Sequence, residues 1–172
     1  MEWDRRTACI AVKADHTVPV KVWEQFQGWK HALGAWELTG EWDFLFWLDV
    51  KDWDELHEWV MELRSWDGVR YTSSHLIYGG FKEGTWWWND PHGVWLWARC
   101  ENVGKCRDPV KLGWAVSGFT MPGDWDNLFW IQGRDWAEVW DRTRQLRASG
   151  WETLTQVPMR SWWNRKQLET WK

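Results

Sequence analysis

Residues Gly40 to Arg64 read GEWDFLFWLDVKDWDELHEWVMELR, and Gly123 to Arg147 read GDWDNLFWIQGRDWAEVWDRTRQLR, an ungapped offset of 83 positions. Eleven of the 25 aligned residues are identical. Among them are Gly40/Gly123, Trp42/Trp125, Asp43/Asp126, Trp47/Trp130, Asp52/Asp135, Trp53/Trp136 and Glu55/Glu138. A chain of 172 residues that carries such a repeat is expected to fold as two similar small halves.

The repeat has a local meaning. Phe44 to Val50 is aromatic and apolar with no breaker, as in a strand buried on at least one face. Gly40 fits a tight turn before it. Asp52 stands as an N-cap, with Glu55 as its capping-box partner. A helix over Trp53–Ser65 carries Trp53, Leu56, Val60 and Leu63 as one apolar stripe, and Gly68 ends it. The second copy repeats the plan with Asp135, Glu138 and the stripe Trp136, Val139, Thr143 and Leu146.

The flanking segments complete each half. Ala8–Ala14, Ala35–Thr39 and Val69–Tyr78 read as strands, and Val20–Leu33 as a helix with Val22, Phe26, Trp29 and Leu33 on one face. That order is β-α-β-β-α-β, a ferredoxin-like module. In the second half Val94–Arg99, Gly113–Phe119 and Trp151–Met159 are the further strands, with Pro158 marking an edge. Asn102–Leu112 contains Gly104 and Pro109, so its helix is short or irregular. The predicted domains are a first module at 1–82, a linker at 83–92, a second, divergent module at 93–160 and a polar tail at 161–172. A four-stranded sheet with both helices on one side has to bury its other side. The expected fold class is therefore α+β, two ferredoxin-like modules packed sheet to sheet as an intramolecular pseudo-dimer.

Composition narrows the function. The chain is 44% hydrophobic and 27% charged, which is globular. A net charge of −4 argues against a nucleic-acid binder, which needs a basic face for phosphates. No apolar run approaches the roughly 18 residues of a membrane span, and the N-terminus has no signal-peptide pattern. A cytoplasmic protein without membrane contact is expected. Cys9, Cys100 and Cys106 form no disulfide framework and read as small buried side chains. Tryptophan occurs 23 times against 2 tyrosines. Many indoles stand where leucine would serve, so they build the core; others are available to line an aromatic pocket.

The segment TGEWDFLFWLDVKDWDELHEWVMELRSWDGVRYTSSHLIY resembles the ligand-binding (RAM) domain of the Lrp/AsnC family. The elements that carry the resemblance are Thr39, Gly40 and Asp43 at the turn, Gly68 and Val69 after the helix, and Thr72 and Ser74 on the last strand. It spans Thr7–Lys82 well and His92–Met159 more weakly, through Gly123, Asp126 and Gly150. The resemblance implies a dimeric α/β barrel and an amino acid or similar effector bound near the Gly-x-x-Asp turn. It implies a regulatory role in transcription, although only six residues precede the first strand and the family's helix-turn-helix is not expected here.

The ligand-binding candidates are therefore Thr39, Gly40, Asp43, Thr72, Ser74, Gly123 and Asp126. An aspartate at such a turn accepts bonds from an ammonium group or from local backbone amides, and both roles stay open. Thr39 and the Thr72–Ser74 strand differ between the copies, so any site is expected to be asymmetric. Trp86, Trp87 and Trp88 are candidates for an aromatic clamp or for covering a sheet edge. The five histidines show no metal-ligand spacing, and no catalytic triad or phosphate loop is present. The leading expectation is a non-enzymatic effector-binding regulatory module with no cofactor, self-associating through sheet edges or exposed tryptophans. The alternatives are a heme- or substrate-binding enzyme on the same architecture, or a tryptophan-rich protein-interaction module.

Overall fold

The computed structural model describes residues 6–15, 19–82, 92–102, 106–121 and 123–168. In chain order the elements are β1 (Thr7–Ala14), α1 (Pro19–Gln27), β2 (Ala32–Leu38), β3 (Phe44–Asp49), α2 (Trp53–Arg64), β4 (Val69–Ile77) and β5 (Gly79–Lys82). They continue with β6 (Gly93–Arg99), β7 (Ala115–Thr120), β8 (Asn127–Gln132), α3 (Trp136–Ala148), β9 (Glu152–Gln156), β10 (Pro158–Trp163) and α4 (Arg165–Leu168). The fold is α+β with two antiparallel five-stranded sheets, ordered β10-β2-β3-β1-β4 and β5-β7-β8-β6-β9. Two compact units result, one of residues 4–77 with 158–172 and one of residues 1–3 with 78–157. No helix among the described residues is long and apolar enough to cross a membrane.

The first unit follows from period-two alternation in its strands. Ala8, Ile10, Val12, Phe44, Phe46, Leu48 and Leu76 face the helices, and meet Val22 and Phe26 of α1 and Leu56, Val60 and Leu63 of α2. Phe26 and Phe46 stack with ring centroids 3.8 Å apart. The face away from the helices reads in cross-strand rows. One row is Trp163, Gly34, Trp47, Cys9 and His75; the next is Ser161, Trp36, Leu45, Ala11 and Ser73. Cys9, Ala11, Trp36, Leu45, Trp47 and His75 are all buried. Burial pushes the Cys9 thiol up, so it stays protonated.

In the second unit Val94, Leu96, Ala98, Phe129 and Ile131 face Val139 and Leu146 of α3. The opposite face carries the row Ser117, Trp130, Trp95 and Gln156. There the Trp97 indole N–H donates to Gln156 Oε1 at 2.9 Å.

Both copies of the repeat close the same way. The Asp52 side chain accepts from Glu55 N–H at 2.9 Å, and Glu55 accepts from Lys51 N–H at 2.5 Å. Asp135 and Glu138 reproduce this at 2.8 Å and 2.7 Å. Such a box satisfies amides that a helix start leaves without partners. Arg64 then bonds Thr72, and Arg147 bonds Thr153 and Thr155, tying each helix to the strand that follows it.

Several expectations need correction. The first helix ends at Gln27, and Leu33 belongs to β2, because Trp29 and Ala32 donate to carbonyls three residues back in tight turns. Trp53 is 51% exposed and lies outside the buried stripe of α2. Gly79–Lys82 is a strand paired with β7, and Ser161–Trp163 belongs to β10, an edge strand paired with β2. The expected strand Trp151–Met159 is two strands in different sheets, separated by Val157. Cys100 and Cys106 are joined in a disulfide, with Cα atoms 6.3 Å apart. Among the described residues, the connection from β6 to β7 contains turns and no helix.

Candidate functional site

The two Gly-x-x-Asp turns share one construction. Gly40 and Gly123 have φ of +113° and +141°, a region open to glycine and costly for other residues. Asp43 Oδ2 accepts the Ala14 N–H at 2.8 Å, while the Asp43 N–H donates to the Val12 carbonyl at 3.0 Å. Asp126 Oδ2 accepts the Cys100 N–H at 3.1 Å, and its N–H donates to the Ala98 carbonyl at 3.1 Å. Each turn is thereby pinned to the end of β1 or β6. In the first unit Lys13 Nζ also lies 3.5 Å from Asp43 Oδ1, both side chains being about one quarter exposed, at 30% and 24%.

This pinning brings the Asp43 turn to one end of the first sheet, on the face away from the helices. Lys13 pairs across to Tyr71 of the edge strand β4. From there β4 presents Tyr71, Ser73, His75 and Ile77 on that face, in a gradient of burial. Tyr71 is 68% exposed, Ser73 half-buried and His75 only 4% exposed. Ser73 Oγ lies 3.0 Å from His75 Nε2, and Cys9 stands across from His75. The cluster holds a cation, an open phenol and an oriented imidazole. Chemically it suits an anionic group at one end and proton transfer at the other.

The second unit closes the equivalent place. Arg99 pairs across to Glu152 where the first unit has Lys13 and Tyr71, and the two form an ion pair at 2.5 Å. That contact holds the Arg99 guanidinium above its usual range. Leu154 and Gln156 stand where Ser73 and His75 do.

Of the residues singled out from sequence, Gly40 and Asp43 lie beside this cluster, and Thr39 is exposed at the end of β2. Thr72 and Ser74 lie on the helix side of β4, where Thr72 Oγ1 accepts from Arg64 Nε at 2.7 Å. Gly123 and Asp126 form the turn of the second unit. Ser73, named with Thr72 and Ser74 from the sequence, is the hydroxyl of that run on this face, and Lys13, Tyr71 and His75 were not singled out. The signal was the alternation Tyr71-Ser73-His75-Ile77, which opposes Thr72-Ser74-Leu76. His31 stacks on Trp59 at 3.7 Å, and burial lowers its pKa from 6.5. His57 is exposed on α2. His16 and Trp86–Trp88 lie outside the described residues, and no cluster of three metal-ligating side chains occurs among the described ones.

Comparison with known proteins finds a family likeness in the first half. Residues 7–87 match the Lrp/AsnC ligand binding domain. The Lrp/AsnC match covers β1 to β5 and includes the Asp43 turn and the Tyr71–His75 strand. No curated protein sequence matches the chain. Among solved structures, TTHA0845 from Thermus thermophilus is 22% identical over 42% of this chain and 92% of its own, with a TM-score of 0.41. A candidate chlorite dismutase, TA0507, is 12% identical over 92% of this chain and 94% of its own, with a TM-score of 0.48. A heme-binding protein, also from Thermus thermophilus, is 14% identical over 92% of this chain and 91% of its own, with a TM-score of 0.51. At that identity the last match is a likeness of fold, and it runs nearly end to end.

Two expectations are corrected by the full-length match to the heme-binding protein. The chain was expected to be a regulatory module binding a small molecule such as an amino acid, and it was expected not to be an enzyme. The Lrp/AsnC match is confined to residues 7–87, whereas the fold as a whole resembles that of a heme-binding protein. The physical reason is that a module's local pattern specifies its strands and helix, and says little of the chemistry that two fused modules host.

Proposed function

We propose that the chain is an enzyme that binds a small, planar, anionic substrate at the Asp43 end of the first sheet and moves a proton through His75. The carrying observation is the Ser73–His75 pair, 3.0 Å apart, at the buried end of a strand whose other end is open. A molecule entering past Tyr71 meets the Ser73 hydroxyl and then the imidazole. Lys13, across from Tyr71, supplies the positive charge, and Asp43 holds it in place. Ser73 orients the ring, its hydroxyl able to donate to or accept from the imidazole nitrogen. Thr39 and Gly40 frame this end, Thr72 and Ser74 lie on the opposite face of β4, and Gly123 and Asp126 serve the scaffold. In the same reading each module is ferredoxin-like, the second with an irregular first connection. The strand orders β2-β3-β1-β4 and β7-β8-β6-β9 support that.

Heme is named for the full-length structural match, and among the described residues His75 and its counterpart in the second unit do not fit it. A residue holding so large a plate would need a gap beside it. His75 is set in a row with Cys9 and Trp47 at cross-strand spacing, about 5 Å. In the second unit the equivalent position is Gln156, already bonded to Trp97. Indoles also lie on these faces, Trp163 on Gly34 and Trp130 on Gly93.

The test uses salicylate as a planar anionic probe. Tryptophan fluorescence follows binding, and calorimetry in two buffers of different ionisation enthalpy counts protons exchanged. Saturable quenching is expected, weakened at least tenfold by Lys13→Met. His75→Gln is expected to leave affinity within threefold and abolish the proton exchange. Binding that ignores both substitutions, or a sharp Soret band on adding one equivalent of hemin, would overturn the proposal.

A further inference from the structure

The first unit covers its core with α1, which buries Val22, Trp23 and Phe26. The second unit has no described helix in that connection, and partly buried Val110, Trp114 and Trp151 pack on its core instead. Three contacts hold the segment. The Cys100–Cys106 disulfide joins it to the end of β6. The Trp151 indole N–H donates to the Arg107 carbonyl at 2.7 Å. Cys106 Sγ sits against the α3–β9 turn, 3.7 Å from where a Gly150 Cβ would stand. Cys100 is also the residue whose N–H is held by Asp126, as Ala14 is held by Asp43. The disulfide is therefore anchored at the best-fixed point of β6.

We infer that this disulfide is a redox-sensitive clasp that does for the second unit's connection what α1 does for the first. A dithiol reductant opens it. One of its thiolates attacks a cystine sulfur, the Cys100–Cys106 bond breaks, and a mixed disulfide forms. The second thiol then closes the reductant into its own disulfide. Two electrons and two protons pass to the protein, leaving two cysteine thiols. Cys9 takes no part, being fully buried and held protonated.

The experiment uses the full chain, oxidised and then treated with dithiothreitol. Thiol titration in denaturant is expected to give one thiol before reduction and three after. Hydrogen exchange at residues 110–115 and at Trp151 is expected to accelerate at least tenfold on reduction, while β1 and β3 amides stay within twofold. The double variant Cys100→Ser/Cys106→Ser should exchange like the reduced protein and ignore dithiothreitol. Should that variant not fold, reduction of the native chain still decides the matter. Three thiols before reduction, or unchanged exchange at 110–115 after it, would overturn the inference.

Discussion

Gly34→Ala adds one methyl group to β2, in a cross-strand row and next to the edge strand β10. An added Cβ would stand 2.7 Å from Trp163 Cζ3 and 2.8 Å from Cε3. Ordinary carbon contact begins at about 3.5 Å. The indole is hemmed in, edge-on to Trp36 with centroids 4.6 Å apart and to Trp47 at 6.0 Å. Overpacking of this kind costs about 1–3 kcal/mol. Replacing a strand glycine returns about 0.5–1 kcal/mol of chain entropy. The net expected loss is about 1–2 kcal/mol, or roughly 2–8 °C in Tm for a chain of this size. Urea unfolding followed by tryptophan emission gives the loss, and a double-mutant cycle with Trp163→Ala gives its cause. Without the indole the methyl meets no clash, so Gly34→Ala should become neutral or stabilising. An equal cost with and without Trp163 would show that the indole does not lie on Gly34, and the row would be wrong.

Three further outcomes are expected. Asp43→Ala and Asp126→Ala should each cost about 1–2 kcal/mol in denaturant titration, because each carboxylate holds a backbone N–H at the end of a strand. Ser117→Ala should leave Tm unchanged or raise it, since the Ser117 hydroxyl is 3% exposed and without a hydrogen-bond partner, and removing it removes a desolvation cost. His31 carries a pH dependence of stability: burial first, then Lys30, lowers its folded pKa from 6.5. Its contribution is therefore full above pH 6.5 and lost as the pH falls through the folded value. His31→Asn should flatten the urea midpoint between pH 6.5 and 5, and an unchanged slope would remove His31 from the account.

What could be read in advance was local. A capping box, a positive-φ glycine and an alternating strand are decided within a few residues, so the Asp52 and Asp135 helices and the Gly40 and Gly123 turns were legible. The end of α1 was hidden because Trp29 and Leu33 continue a spacing of three and four after the chain has already turned. The handover of strands was hidden too. Tyr78 and Val157 are one-residue joints, and a joint so short reads as one continuous strand although its two sides pair in different sheets. The disulfide lay in no motif, since its six-residue spacing is set by where β6 ends and the connection returns. Thr72, Ser73 and Ser74 form an unbroken run of hydroxyls. Parity alone decides which of them faces the helices, and parity becomes visible only once Leu76 is known to be in the core.

One set of differences between the halves bears on the site. Asp43 and Asp126 do the same work, and Arg64 and Arg147 tie helix to strand alike, so the frame tolerated little change. The residues that part company share a sheet end: Lys13 against Arg99, Tyr71 against Glu152, Ser73 against Leu154, His75 against Gln156. In the second unit the change neutralises charge with charge and replaces an imidazole by an amide that serves Trp97. In the first unit Lys13 and Asp43 stay partly open to solvent beside an exposed phenol. At these four register-linked positions the second unit pairs charge with charge, and the first keeps an exposed phenol and an imidazole, as expected if only the first unit was kept free to meet a small molecule.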